Sequence, residues 1–259
     1  MKGLANIKNA FVVITGANNG IGFELAKIYS EHGIKVLALD LHTDHLNLPY
    51  VHALQFDVGS PEAWAKLEGH LFFQDEHIKK CPLVHWYNNA GISGLGEASK
   101  QKIEELQKVF DVNFWGVVRG TKFAYTTMGK QDVAHPRSII NVSSMSAYIP
   151  APMMSAYSSS KAATLNYSRS FQEEVQDVKI HIVTPGFVKT NILNSHETLR
   201  LPEWMLKRAS DVKDTARGII KEVLVGNKEI IPDENGRRLY KLWRLGPTLT
   251  RKLSHYLLK

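Results

Sequence analysis

Along most of this chain, short apolar runs bounded by turn residues alternate with longer stretches whose apolar positions recur every three or four residues. The short runs predict strands at Ala10–Thr15, Lys35–Asp40, Val51–Asp57, Leu83–Asn88, Ser138–Ser143, Lys179–Thr184 and Glu229–Ile231. The longer stretches predict helices at Ile21–Glu31, Pro61–Ile78, Lys100–Met128, Ser155–Gln176 and Asp211–Val225. Runs such as "FVVIT" and "KVLAL" are apolar at consecutive positions, the pattern of strands covered on both faces. Helices between such strands are the crossovers that parallel pairing needs. The expectation is an α/β fold with one doubly wound parallel sheet in a single domain. The link from Asp40 to Val51 is short and carries Pro49 near its end, so no full crossover helix is expected there.

Composition narrows the setting. The chain has 259 residues, 44% of them apolar, enough for a substantial core. Its one cysteine, Cys81, excludes an internal disulfide and a thiolate metal cluster, which fits a reducing compartment. Eleven histidines lie without ligand spacing, so no metal site is expected. No apolar stretch of about 18 residues suggests a membrane span. The opening "MKGLANIKNAFVVITG" holds only a short apolar run before a glycine-rich motif and does not pattern as a secretory leader. A cytoplasmic protein is expected, with peripheral attachment to a membrane surface left open.

"VVITGANNGIG" places Gly16 at a strand end, followed by Asn18, Asn19, Gly20, Ile21 and Gly22 as a helix begins. Glycines permit a tight turn and close approach of a pyrophosphate to backbone N–H groups, and the helix N-terminus adds positive potential. Alone, such a triad is equally compatible with an ordinary strand–helix turn. Asp40 ends the next predicted strand, at a spacing suited to accepting hydrogen bonds from an adenosine ribose. Its carboxylate would repel a 2′-phosphate, and neither Asn18, Asn19 nor Leu41 offers a compensating cation. NAD is favoured over NADP.

"SAYSSSK" sets Tyr157 and Lys161 four residues apart on a predicted helix, hence on one face. A free tyrosine, with a pKa of about 10, carries protons poorly near neutrality. A neighbouring ammonium favours the phenolate and brings that pKa toward working pH. Ser144, at the end of "RSIINVSS", stands where a strand could present its hydroxyl to the same point and hydrogen-bond a substrate oxygen. Ser143 and the Ser158–Ser160 run read as turn and helix-packing residues, because no His and acid accompany them in a recognisable motif.

Taken in order, "TGANNGIG", "FDV", "NNAG", Asn113 in "VNFWG", Ser144, "YSSSK" and "PGFVKT" resemble the short-chain dehydrogenase/reductase family over residues 9–232. That resemblance implies a Rossmann-type fold and a nicotinamide-linked oxidoreductase. It makes Tyr157 the general acid/base and Ser144 the group that positions the carbonyl or hydroxyl. Lys161 would tune Tyr157 and hold the nicotinamide ribose, and Asn113 would help a water-linked proton relay. Asp57 and Val58 would flank the adenine, and Asn89, Ala90 and Gly91 the middle of the cofactor. Val188 and Thr190, after Pro185 and Gly186, would meet the nicotinamide carboxamide. The family also implies a homodimer or homotetramer, with the Lys100–Met128 and Ser155–Gln176 helices as contacts. Trp115 reads as core or subunit-contact area.

The segment between Ser144 and Tyr157, "MSAYIPAPMMSA", carries no charge, and its Met145, Tyr148, Ile149, Met153 and Met154 are candidates for the pocket rim. Residues 187–210 are expected to form a substrate lid, with Ile192, Leu193, Leu201, Trp204 and Met205 as its apolar members. Methionines adapt to elongated or irregular hydrophobic ligands. A lipophilic secondary alcohol or ketone, of steroid, retinoid-like or long-chain acyl type, is the expected substrate. A small polar alcohol or sugar, or a non-catalytic dinucleotide sensor on the same fold, are the rivals; the intact Ser144, Tyr157 and Lys161 set disfavours the sensor.

Charge changes the picture only at the end of the chain. From Gly236 to Lys259 there are seven Lys or Arg and no Asp or Glu, and the remainder is balanced at 25 basic against 25 acidic residues. The chain therefore divides into a catalytic domain at 9–235 and a basic extension at 236–259. In "RRLYKLWR", Arg237, Lys241 and Arg244 share one helical face while Leu239, Leu242 and Trp243 share another, and Gly246–Pro247 breaks the pattern. Nucleic acid is not the expected partner, since the basic residues stop at the extension. Packing on the lid or on another subunit, and contact with an anionic membrane, both remain open.

Overall fold

The computed structural model describes residues 2–70, 78, 80–131, 135–190, 209–248 and 250. Seven strands form one parallel sheet: β1 Phe11–Thr15, β2 Lys35–Asp40, β3 Val51–Gln55, β4 Leu83–Asn88, β5 Ser138–Val142, β6 Lys179–Val183 and β7 Glu229–Ile230. Their order is β3-β2-β1-β4-β5-β6-β7. The central strands β1, β4 and β5 are buried at every position, as their uninterrupted apolar runs required. Alternate residues pack to opposite layers: Val12 and Ile14 join one core, Phe11 and Val13 the other. The order reverses between β1 and β4, so the loops leaving these two strands lie side by side at the switch point where such sheets bind ligands.

Around the sheet are α1 Gly20–Glu31, α2 Pro61–Leu67, α3 Ile103–Phe110, α4 Gly116–Gly129, α5 Ser155–Glu174, α6 Val212–Val225 and α7 Glu234–Leu245. Two differences from the sequence-based elements matter. The helix expected over Lys100–Met128 begins at Ile103 and is interrupted by one π turn at Asp111–Trp115 that separates α3 from α4. The helix expected over Pro61–Ile78 ends at Leu67, and residues 71–77 lie outside the described residues. Residues 41–50 cross from β2 to β3 through turns without a helix, as their length foretold. Strands β3, β5, β6 and β7 end one or two residues earlier than expected, although Ser143 and Thr184 each still donate a backbone bond to the neighbouring strand.

One layer of the core contains a polar cluster. The Tyr29 hydroxyl lies 2.7 Å from His85 Nδ1 and 2.6 Å from the Tyr87 hydroxyl. Burial holds His85 neutral, its pKa pulled down to about 3, with the neighbouring His181 adding to the effect. An unfolded chain would protonate this histidine below about pH 6.5 while the folded one resists until about pH 3, so stability is lost as pH falls through that window. His85 alone contributes a loss on the order of 4 kcal/mol between those limits. Denaturant melts from pH 7 to pH 4 should show this decline, and His85→Phe, which leaves the Tyr29 hydroxyl bonded to Tyr87, should flatten it.

Candidate active site

The Thr15 hydroxyl, at the end of β1, is the hub of the first loop. It donates to the Tyr87 carbonyl at 3.3 Å and accepts from the N–H groups of Asn89 and Ala90, both at 3.0 Å. The Asn89 amide donates to the Thr15 and Gly16 carbonyls at 3.0 and 3.1 Å. The ends of β1 and β4 are thereby joined, and the Asn89 side-chain amide is committed to that joint.

The turn after β1 folds back on the first turn of α1. A Cβ on Gly22 would stand 2.0 Å from the Gly16 carbonyl oxygen, and Gly16 itself has φ 65°, where a Cβ would lie 2.7 Å from the Ala90 α-carbon. Asn19, the N-cap of α1, makes no side-chain capping bond. The first N–H groups of that helix, without a side-chain cap, therefore face a loop stripped of side-chain bulk, which suits a phosphate. Thr190 lies close to this turn, since a Cβ on Gly20 would approach its Cγ2 to 3.3 Å.

Asp40 accepts from the Asn18 N–H at 2.8 Å and from the His42 N–H at 3.2 Å. The Asn18 side chain in turn accepts from the His45 N–H at 2.9 Å, so the helix-free link after β2 lies across Asn18. Asp57 is exposed and accepts from the Gly59 N–H at 2.8 Å. Val58 is buried against Gly116 at the start of α4.

Tyr157 and Lys161 stand one turn apart on α5, facing the end of β5. The Lys161 side chain is buried, its ammonium donates to the Val142 carbonyl at 2.9 Å, and its Nζ lies 5.8 Å from the centre of the Tyr157 ring. Burial lowers its pKa to about 8. Burial also raises the Tyr157 hydroxyl, while a hydrogen bond with the Ser144 side chain opposes the rise. The Ser143 hydroxyl donates to the Lys161 carbonyl at 2.7 Å, a helix-packing role. Gly91 closes the group from the β4 side, since a Cβ there would lie 3.4 Å from Lys161 Nζ.

Asn113 explains the π turn. Fully buried, it accepts from the Ile92 N–H at 2.8 Å and donates to the Ile92 carbonyl at 2.9 Å and to the Ser160 hydroxyl at 3.0 Å. Its own carbonyl accepts from the Thr164 hydroxyl at 2.9 Å. One inserted residue in the helical ladder turns this side chain between the β4 loop and α5, a common use of π turns.

A family model described as short chain dehydrogenase matches residues 10–200. The chain belongs to the short-chain dehydrogenase family. SadH of Mycobacterium tuberculosis, an oxidoreductase by name, is 33% identical over 197 residues, covering 73% of this chain and 70% of SadH. The 11-beta-hydroxysteroid dehydrogenase A of Arachis hypogaea is 30% identical over 269 aligned positions, 94% of this chain and 74% of that protein. The 11-beta-hydroxysteroid dehydrogenase-like 3 of Arabidopsis thaliana is 33% identical over 199 residues, 74% of this chain and 63% of that protein. Among solved structures, a short-chain dehydrogenase of Burkholderia phymatum in complex with NAD superposes with TM-score 0.77 at 20% identity, over 93% of this chain and 95% of that one. One from Burkholderia cenocepacia in complex with NADP gives 0.78 at 20% identity, over 95% and 97%. These two likenesses establish the shared fold.

Within this dehydrogenase, Gly16 and Gly22 meet Asn89, Thr190 stands against Gly20, Gly91 sits between Asn113 and Lys161, Tyr157 and Ser144 share a hydrogen bond, and the Pro185 carbonyl accepts from Met145. Trp204 and the rest of the expected lid over residues 191–208 lie outside the described residues. Met145 is buried in a short turn after Ser144, and Met153 adopts φ 65° with its carbonyl accepting from Gly96. Tyr148, assigned to the pocket rim from sequence, packs its ring on Tyr240 and Trp243 of α7. Trp243 therefore points inward with Tyr240, away from the expected leucine face, while Leu239, Leu242 and Leu245 remain exposed. Asp233, Tyr240 and Trp243 were missed as site-related residues. An aspartate preceding an amphipathic run is a helix N-cap signal, and "DENGRRLYKLW" carries it.

Proposed function

We propose that this protein is an NAD-dependent dehydrogenase or reductase that interconverts a lipophilic secondary alcohol and its ketone. The observation that carries the reading is the convergence of Ser144, Tyr157 and the buried Lys161 beside the glycine-walled turn. A bound nicotinamide supplies hydride transfer at its C4. In the alcohol-oxidising direction Tyr157 takes the hydroxyl proton, Ser144 holds the same oxygen and Lys161 favours the phenolate. Gly16, Asn19, Gly20, Ile21 and Gly22 would hold the pyrophosphate, Asp57 and Val58 would flank the adenine, and Pro185, Gly186, Val188 and Thr190 would line the nicotinamide side.

NAD is preferred because the Asp40 carboxylate stands at the end of β2 beside Asn18, where a 2′-phosphate would meet negative charge. The lipophilic substrate is supported by the uncharged segment after Ser144 and by the relatives named for 11-beta-hydroxysteroid dehydrogenation. The protein is proposed to work in the cytoplasm as a homodimer or homotetramer through α3, α4 and α5, where Trp115 is an exposed aromatic. Among the described residues no helix is long and apolar enough to cross a membrane. Residues 236–259 are proposed as a peripheral contact with anionic lipid: on α7 the exposed leucines stand beside exposed Arg238, Lys241 and Arg244.

A dinucleotide-reduction screen over steroids, long-chain alcohols, hydroxyacyl compounds and polyols tests the reading. Turnover of lipophilic alcohols with NAD at least tenfold above NADP in kcat/KM is expected. Turnover confined to polyols, or an NADP preference, removes the corresponding part. Sedimentation with vesicles tests the lipid contact, which requires stronger partitioning onto anionic than onto neutral bilayers.

A further inference from the structure

We propose that α7 is a brace across the mouth of the site: Asp233 at one end positions the cofactor-side loop, and Tyr240 with Trp243 at the other positions the loop that begins with Ser144. The proposal rests on the dehydrogenase reading. Asp233 is buried and caps α7. One carboxylate oxygen accepts from the Gly186 N–H at 2.7 Å; the other accepts from the Gly236 N–H at 2.8 Å and from the Ser210 hydroxyl at 3.1 Å. Both glycines are required by the closeness of this joint. A Cβ on Gly186 would lie 2.7 Å from Asp233 Oδ1, and one on Gly236 would lie 3.0 Å from the Gly186 nitrogen. The loop assigned to the nicotinamide side is thus tied directly to the first turn of α7.

The opposite end of α7 grips Tyr148, four residues after Ser144. The Tyr148 ring centre is 5.2 Å from Tyr240 and 4.9 Å from Trp243. On its other side Arg169 donates to the Tyr148 hydroxyl at 2.7 Å, lies 5.6 Å from the ring centre and pairs with Glu229 at 2.8 Å. The two braced loops are themselves joined, since the Met145 N–H donates to the Pro185 carbonyl at 2.9 Å. The contacts close a ring from α7 through Asp233, Gly186, Pro185, Met145 and Tyr148 back to α7. A free appendage would need neither a buried carboxylate nor a three-ring cluster. Because each end holds a different loop, each should govern a different ligand.

Asp233→Ala, Asp233→Asn and the double variant Tyr240→Ala/Trp243→Ala separate the two ends. NADH affinity is read by fluorescence titration, KM for NAD and for the alcohol by kinetics, and folding by Tm. Loss of charge-assisted bonds at Asp233 should weaken NADH binding roughly tenfold or more. Asp233→Asn should fall between wild type and Ala, because one amide oxygen can still accept while the NH2 group meets an N–H. The double variant should keep NADH affinity within about twofold and raise KM for the alcohol about fivefold or more. Losses of both ligands in equal proportion in every variant, tracking Tm, overturn the brace, as does wild-type behaviour in a folded Asp233→Asn. If wild type binds NADH and the variants bind it equally well, the brace alone fails. If wild type binds neither NADH nor NADPH, the dehydrogenase reading falls and the brace with it.

Discussion

Tyr157→Phe loses turnover by on the order of 10³-fold while retaining dinucleotide affinity within a few-fold. The substitution removes one oxygen from a side chain whose ring stays packed at the start of α5. That oxygen has two physical demands on it. Burial raises its pKa, which keeps a proton on it at rest, while the Ser144 hydrogen bond pulls the other way. The nearby Lys161 ammonium, 5.8 Å from the ring centre, adds through-space stabilisation of the phenolate rather than a direct bond. The group therefore rests protonated, and the Ser144 bond and the Lys161 charge are what ease its ionisation when it acts as a general acid/base. Stopped-assay kcat, set beside an NADH fluorescence titration, checks both halves. Undiminished turnover would remove Tyr157 from the chemistry, and lost NADH binding would show a cofactor role in place of a proton-transfer one.

The sheet and the shared face of Tyr157 and Lys161 were legible in the sequence for different reasons. Runs such as "FVVIT" need burial on both faces wherever they lie, so local pattern alone demanded interior parallel strands. Tyr157 and Lys161 declare their shared face through helical spacing, and both stand on one helix. The break between α3 and α4 was hidden because the apolar positions of "VFDVNFWGVV" run through it unbroken. What forces the π turn is the pair of bonds between Asn113 and Ile92, 21 residues apart. Asp233 was equally hidden, since its partner Gly186 lies 47 residues away. In the basic extension the cations and leucines were readable, but which aromatic turned inward depended on Tyr148, far upstream.

Lys161→Met makes the protein more stable at pH 7 and about 10²-fold slower there. In the folded chain the pKa of this lysine is about 8, against its ordinary value of 10.5, and burial is the cause. A basic group whose folded pKa is depressed opposes folding in its charged form: the penalty is full below pH 8, fades as pH rises and is gone above about 10.5. At neutral pH the shift amounts to roughly 3 kcal/mol, so an uncharged side chain of similar length should raise Tm by several degrees, less the lost bond to Val142. Near pH 10.5 the advantage should vanish. Function pulls the other way. A cation about 6 Å from a phenolate stabilises it by about 3 kcal/mol at an effective dielectric near 20, or about two pKa units. Without the cation, the acid limb of kcat/KM for alcohol oxidation should move up by about that much, and kcat at pH 7 should fall by about 10²-fold. Thermal melts at pH 7 and pH 10.5, set beside a pH–rate profile, measure both effects on one variant. A variant that is less stable at pH 7, or whose acid limb stays in place, would show that Lys161 is held for packing and not for its charge.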